Sequence, residues 1–85
     1  MSSLHLQLFY RDGCHLCEEM AAVLYHGWPQ LLDDLEWVDV DRSPQLAERY
    51  GARIPVLVLD GSELCQFQPD RERLREVFGE PANPV

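Results

Sequence analysis

The chain has 85 residues, room for one hydrophobic core and not two. Its hydrophobic share of 46% is that of an ordinary globular domain and excludes a disordered chain. Fifteen acidic residues face seven basic ones, all arginine, for a formal charge of -8; nucleic acid and anionic membrane surfaces both want the opposite sign. No apolar run approaches the roughly 20 residues of a membrane span. The first residues, Met1-Ser2-Ser3-Leu4-His5, carry neither the basic nor the apolar stretch of a signal peptide. A cytoplasmic protein is expected, and with three cysteines a disulfide-stapled secreted scaffold is not.

In chain order, Leu4 to Tyr10 alternates apolar and polar until its end and reads as a strand. Arg11-Asp12-Gly13 is a turn. From Cys14 the period becomes helical, with Cys17, Met20, Ala21 and Leu24 on the inner face and Gly27 as the stop. Leu35 to Asp41 alternates again as a second strand. Ser43-Pro44 supplies an N-cap and a proline at the first helical position; Leu46, Ala47 and Tyr50 form the inner face of that short helix, and Gly51 ends it. Val56 to Leu59 is continuously apolar, as in a strand covered on both faces. Asp60-Gly61 is a two-residue hairpin turn into a returning strand from Ser62 to Cys65. Pro69-Asp70 opens a last helix with Leu74, Val77 and Phe78 inside. The expected domain spans residues 1–78. Residues 79–85, with two prolines and an asparagine, are expected to be a loose tail.

The order β-α-β-α-β-β-α implies an α/β domain. Its four-stranded mixed sheet would carry helices on both faces, and its first β-α-β would be a parallel crossover.

Cys14 and Cys17 fall where the first strand gives way to the first helix. Unpaired amides and the helix dipole favour an anion at that end, which lowers a thiol's pKa and makes it a better nucleophile. Three residues on is about one turn, within disulfide reach. Cys17 begins the apolar face and is expected to be the more buried. Cys14 then attacks a substrate disulfide and Cys17 resolves the mixed disulfide. Protonated His15 and Arg11 would favour the thiolate; Asp12, Glu18 and Glu19 would oppose it. Two other readings are half a zinc site, with Cys65, His5, His15 and His26 as the only further ligands, and a pair of idle buried thiols. The βαβ context favours the redox pair.

Tyr10 through Cys17 at that junction, Ile54-Pro55 directly before an apolar strand, and the element order over residues 4 to 78 resemble the thioredoxin-like superfamily, in its glutaredoxin-like branch. Cys14-His15-Leu16-Cys17-Glu18-Glu19 is most similar to small bacterial glutaredoxin-like proteins. The resemblance implies a cis peptide bond at Pro55, facing the cysteines, and a backbone edge there on which a substrate peptide or glutathione adds like a strand. It implies an anion contact through Arg11. Typical glutaredoxins carry a Gly-Gly pair and an aspartate after the fourth strand. The matching positions are Cys65-Gln66 and Gln68, with Asp70 two residues on; these departures bear on glutathione binding. The tryptophan-rich thioredoxin motif is absent.

The implied function is thiol-disulfide oxidoreduction on protein or glutathione mixed disulfides. Cys14 and Cys17 would be catalytic, and Arg11, His15, Ile54, Pro55 and Gln68 would bind substrate. No metal or bound cofactor is required, glutathione being at most a co-substrate, and a monomer is expected. The alternative is a non-catalytic binding or assembly module using the groove near Pro55. Cys65 reads as a half-buried strand residue or a further thiol near the cleft. Trp28 and Trp37 read as packing residues, His5 and His26 as structural. Asp33, Asp34, Glu36, Asp39 and Asp41 form a solvated acidic face able to steer a basic partner.

Overall fold

A computed structural model of the protein describes residues 5–85; Leu4, taken above as the start of the first strand, lies outside them. The elements are β1 (Leu6–Tyr10), α1 (His15–Gly27), β2 (Leu35–Asp39), α2 (Pro44–Tyr50), β3 (Val56–Leu59), β4 (Ser62–Gln66) and α3 (Arg71–Phe78). This is the expected order. Two 3-10 turns are added, Pro29–Asp33 and Val40–Arg42. The second shortens the strand that alternation carried to Asp41, because the Asp39 carboxylate takes the Asp41 amide at 2.9 Å and turns the chain.

The sheet order is β2-β1-β3-β4. β1 and β2 are parallel, with Leu8 opposite Trp37. The pairs β1·β3 and β3·β4 are antiparallel. The Asp60-Gly61 turn has both residues at positive φ, 48° and 85°, as a two-residue hairpin of this twist requires. In β4 the register shifts against Leu57/Val58, so Leu57 faces Cys65 while Val58 faces Glu63. Leu64 is the extra residue of a bulge, and successive residues Leu64 and Cys65 both turn into the core.

Alternation along β1 decides which helix covers what. Leu6 and Leu8 point to one face, where Met20, Val23 and Leu24 of α1 and Leu74 of α3 pack with Leu57. Phe9 points to the other, where it stacks on Tyr50 of α2 at 3.9 Å between ring centroids, beside Val38, Val56 and Val58. The unbroken apolar run of β3 is thus buried on both sides. Fully burying one such leucine or valine is worth about 1.5–3 kcal/mol. Short helices need their ends satisfied. Ser43 Oγ takes the Leu46 amide at 3.2 Å and Asp70 Oδ1 the Arg73 amide at 3.0 Å.

The segment read as a loose tail is instead tied to the end of α1. Trp28, fully buried, donates its indole N–H to the Gly79 carbonyl at 2.9 Å. The Ala82 amide donates to Gly27 O at 2.6 Å and the Asn83 side-chain amide to His26 O at 3.0 Å. Val85 packs against the core. The last carbonyls of a helix lack intrahelical partners, and this irregular segment supplies two of them.

Candidate functional site

Gly13, at φ +77°, turns the chain out of β1 in a conformation that glycine takes without steric cost. The Cys14 amide then bonds back to Arg11 O at 3.2 Å. This leaves Cys14 as the N-cap of α1, with extended backbone, its Sγ accepting the Cys17 amide at 3.1 Å. A sulfur thus stands where serine or aspartate usually caps a helix. Cys14 and Cys17 are joined as a disulfide, their Cα atoms 5.2 Å apart. Cys17 is 4% exposed and sits on the inner stripe of α1, while Cys14 is half-buried at the surface. Cys14 is therefore the more accessible of the two sulfurs.

Arg11 is not a free anion contact. Its Nε donates to Asp41 Oδ2 at 2.9 Å, and that carboxylate raises the guanidinium pKa above its ordinary value. His15, first residue of α1, is exposed beside the cysteines.

The Ile54–Pro55 peptide bond is cis, and Pro55 is buried. A second group forms around it. The Phe67 amide donates to Pro55 O at 3.0 Å and to Arg53 O at 3.3 Å, and the Gln68 amide to Gln66 O at 2.7 Å. Arg53 is clamped below by Glu63 at 2.6 Å and Gln66 at 3.0 Å. Glu63 is held below the usual carboxylate range by that hydrogen bond from Arg53. Phe67 carries φ +67° and is 43% exposed, an uncommon state for a bulky residue. Nothing in the sequence pattern singled it out. Gln68 is exposed and Ile54 half-buried.

An open cleft of about 590 Å³ borders the cysteine pair. It lies between α1 and the α1-facing side of β1 and β2. Cys14, Cys17, Ala22, Tyr25, Tyr10 and Trp37 are among its walls. Of the expected binding residues Arg11 lines it, whereas His15, Ile54, Pro55 and Gln68 do not. Trp37, expected to be packing, is 47% exposed. Its ring meets Tyr10 edge-on at 5.8 Å.

The model of the glutaredoxin-like domain family (DUF836) matches residues 5–79. The chain belongs to that family. Among its relatives are the uncharacterized protein Rv0508 of Mycobacterium tuberculosis and its counterpart Mb0520 of Mycobacterium bovis. Each is 34% identical, over 95% of this chain and 94% of the relative. The solution NMR structure of protein Ne2328 from Nitrosomonas europaea superposes with a TM-score of 0.72 at 30% identity, over 91% of this chain and 93% of the other. The thioredoxin-like, glutaredoxin-like fold is the one the motif and element order implied.

Cys65 does not join the glutaredoxin-like site as a third thiol. It is 6% exposed within the core, its sulfur accepting the Asp70 amide at 3.4 Å, and burial pushes the thiol pKa up. Among the described residues no cluster of three or more His, Cys, Asp and Glu side chains is placed to hold a metal ion, and no helix is long and apolar enough to cross a membrane. The acidic stretch is partly engaged: Glu36 meets His5 at 3.2 Å and Gln7 at 3.1 Å, and Asp41 holds Arg11.

Proposed function

We propose that this protein is a thiol-disulfide oxidoreductase acting on protein or glutathione mixed disulfides through Cys14 and Cys17. The observation that carries the reading is the position of Cys14, capping α1 with its sulfur on the Cys17 amide and paired with a buried partner. The same N–H donor serves a thiolate when the pair is reduced. In the reduced protein the Cys14 thiolate attacks one sulfur of a substrate disulfide. The other substrate sulfur leaves as a thiolate and takes up a proton. Cys17, deprotonated, attacks Cys14 Sγ and expels the remaining substrate thiol. The Cys14–Cys17 disulfide then holds the two electrons' worth of oxidation, and an external thiol reductant returns it to the dithiol. The backbone beside cis-Pro55 supplies a strand-like edge for substrate. The working compartment is reducing and cytoplasmic, and the active form a monomer.

Equilibration with glutathione redox buffers, followed by alkylation and mass spectrometry, tests this. The expected result is reversible loss of two hydrogens confined to Cys14 and Cys17, with a midpoint between roughly -270 and -120 mV. Thiols that never pair across that range refute it. A second reading, a non-catalytic module on the same fold, is favoured by Gln66 and exposed Phe67 in a region where glutaredoxins place small residues against glutathione. Under it, a Cys14→Ser variant keeps its partner and its cellular role.

A further inference from the structure

We infer that the cleft between α1 and β2 receives an extended, cationic and apolar stretch of a polypeptide partner, on the side of the cysteine pair away from the Pro55 group. The inference deepens the oxidoreductase reading by naming its substrate class, and rests on it only for the bond delivered to Cys14.

Helical spacing sets the shape. Cys14, Glu18, Ala21, Ala22 and Tyr25 all line the cleft and fall at i, i+4, i+7, i+8 and i+11, one stripe of α1. The stripe is separate from the buried one through Met20 and Leu24. From Cys14 to Tyr25 the rise is about 16 Å, the length of roughly five residues of extended chain. Two alanines in the middle of the stripe leave the room. Across from them Trp37 and Tyr10 form the opposite wall, and Leu32 closes the far end. Among the described residues Trp37 at 47% and Tyr25 at 63% exposure are two of the four large hydrophobic residues left exposed; aromatic walls with polar tips are common at recognition surfaces.

Charge selects the occupant. Asp12 and Glu18 are carboxylates of the lining, and Asp33 and Asp34 are exposed next to Leu32. Among the described residues the one cation of the lining, Arg11, is already paired with Asp41. The whole chain carries -8. An acidic peptide is repelled, whereas a peptide alternating arginine or lysine with aliphatic or aromatic residues meets carboxylates at the rim and indole and phenol faces inside.

The test uses the protein in its oxidised form, which turns nothing over, so its outcome is separate from that of the redox measurement. A five-residue probe alternating arginine with leucine and phenylalanine is titrated while backbone amide and indole NMR signals are followed, and then a counterpart with glutamate for arginine. The expected result is saturable shifts at Glu18, Ala22, Tyr25 and Trp37, with the glutamate probe at least tenfold weaker. Ala22→Arg, a change on an exposed helical position, is expected to weaken the arginine probe at least tenfold with an unchanged circular dichroism spectrum. Equal affinity for the two probes, shifts confined to Ile54 and Gln68, or no saturable shift would each overturn the inference. A redox pair that never cycles, beside intact probe binding, would instead remove the oxidoreductase reading and leave the cleft.

Discussion

Gly27 ends α1 at an ordinary backbone conformation, so an alanine there is not strained; in a helix it is favoured by about 1 kcal/mol over glycine. A Cβ at this position, however, would lie 3.0 Å from Val85 Cγ1 and 3.2 Å from Pro81 Cβ. Carbon atoms pack at about 3.5–4.0 Å, so Val85 and Pro81 must give by a few tenths of an ångström. That shift strains the Ala82 and Asn83 hydrogen bonds to the helix end, worth about 1 kcal/mol each. Gly27→Ala in the full chain is therefore expected to destabilise by at most about 1 kcal/mol, the difference between roughly 2 lost, were both bonds broken, and 1 gained. After deletion of residues 80–85 the obstacle is gone, and the same substitution is expected to stabilise by about 1 kcal/mol. Urea unfolding of the four oxidised proteins measures this as a double-mutant cycle with a coupling of up to about 2 kcal/mol. Gly27→Ala with the same sign in both backgrounds would refute the docking of this segment.

Gly61 sits at φ +85° with open space where a Cβ would go, so Gly61→Ala is expected to cost only the backbone strain, about 1–2 kcal/mol, read as a lowered thermal midpoint. Burial raises the Cys65 pKa above 9.0 in the folded state. Its stabilising contribution is then complete below the unfolded value and is lost as pH rises through the folded one, so the urea midpoint falls in alkali, and Cys65→Ala flattens that fall. Glu63 moves the other way. Its folded pKa lies below 4.5 through Arg53, so this pair stabilises above that pH and the contribution fades as acid titrates the folded group; Glu63→Gln removes that part of the acid dependence.

The parts of the fold that sequence made legible are those governed by local periodicity and end chemistry. Leu6 and Leu8 against Phe9, the continuous Val56–Leu59 run, the Ser43 and Asp70 caps and the Asp60-Gly61 turn all express rules acting over a few residues. The cysteine pair was legible for the same reason: Gly13 and the change of period at Cys14 place it at a helix start. What stayed hidden depends on what covers what. Trp37 shares the alternation of Leu35, so its face could be read but not its exposure, which depends on how the preceding helix, with Ala21 and Ala22 on the cleft, sits against it. The segment after Gly79 has no periodicity, yet backbone groups that happen to meet the free carbonyls at the end of α1 hold it. Phe67 at positive φ belongs to the same class, since its conformation is imposed by its bonds to Arg53 and Pro55. Arg11 was marked as an anion site from its place beside the motif; only the fold brings Asp41 to it.

The proposed order, in which Cys14 attacks and Cys17 resolves, is open to a trapping experiment. Cys17→Ser and Cys14→Ser proteins, reduced and then exposed to glutathione disulfide or a disulfide peptide, are weighed under non-reducing conditions. A stable mixed disulfide is expected on Cys14 in the Cys17→Ser protein and almost none in the Cys14→Ser protein, whose remaining motif thiol is buried. Equal trapping by the two variants, an adduct on Cys65, or no adduct on either would contradict it.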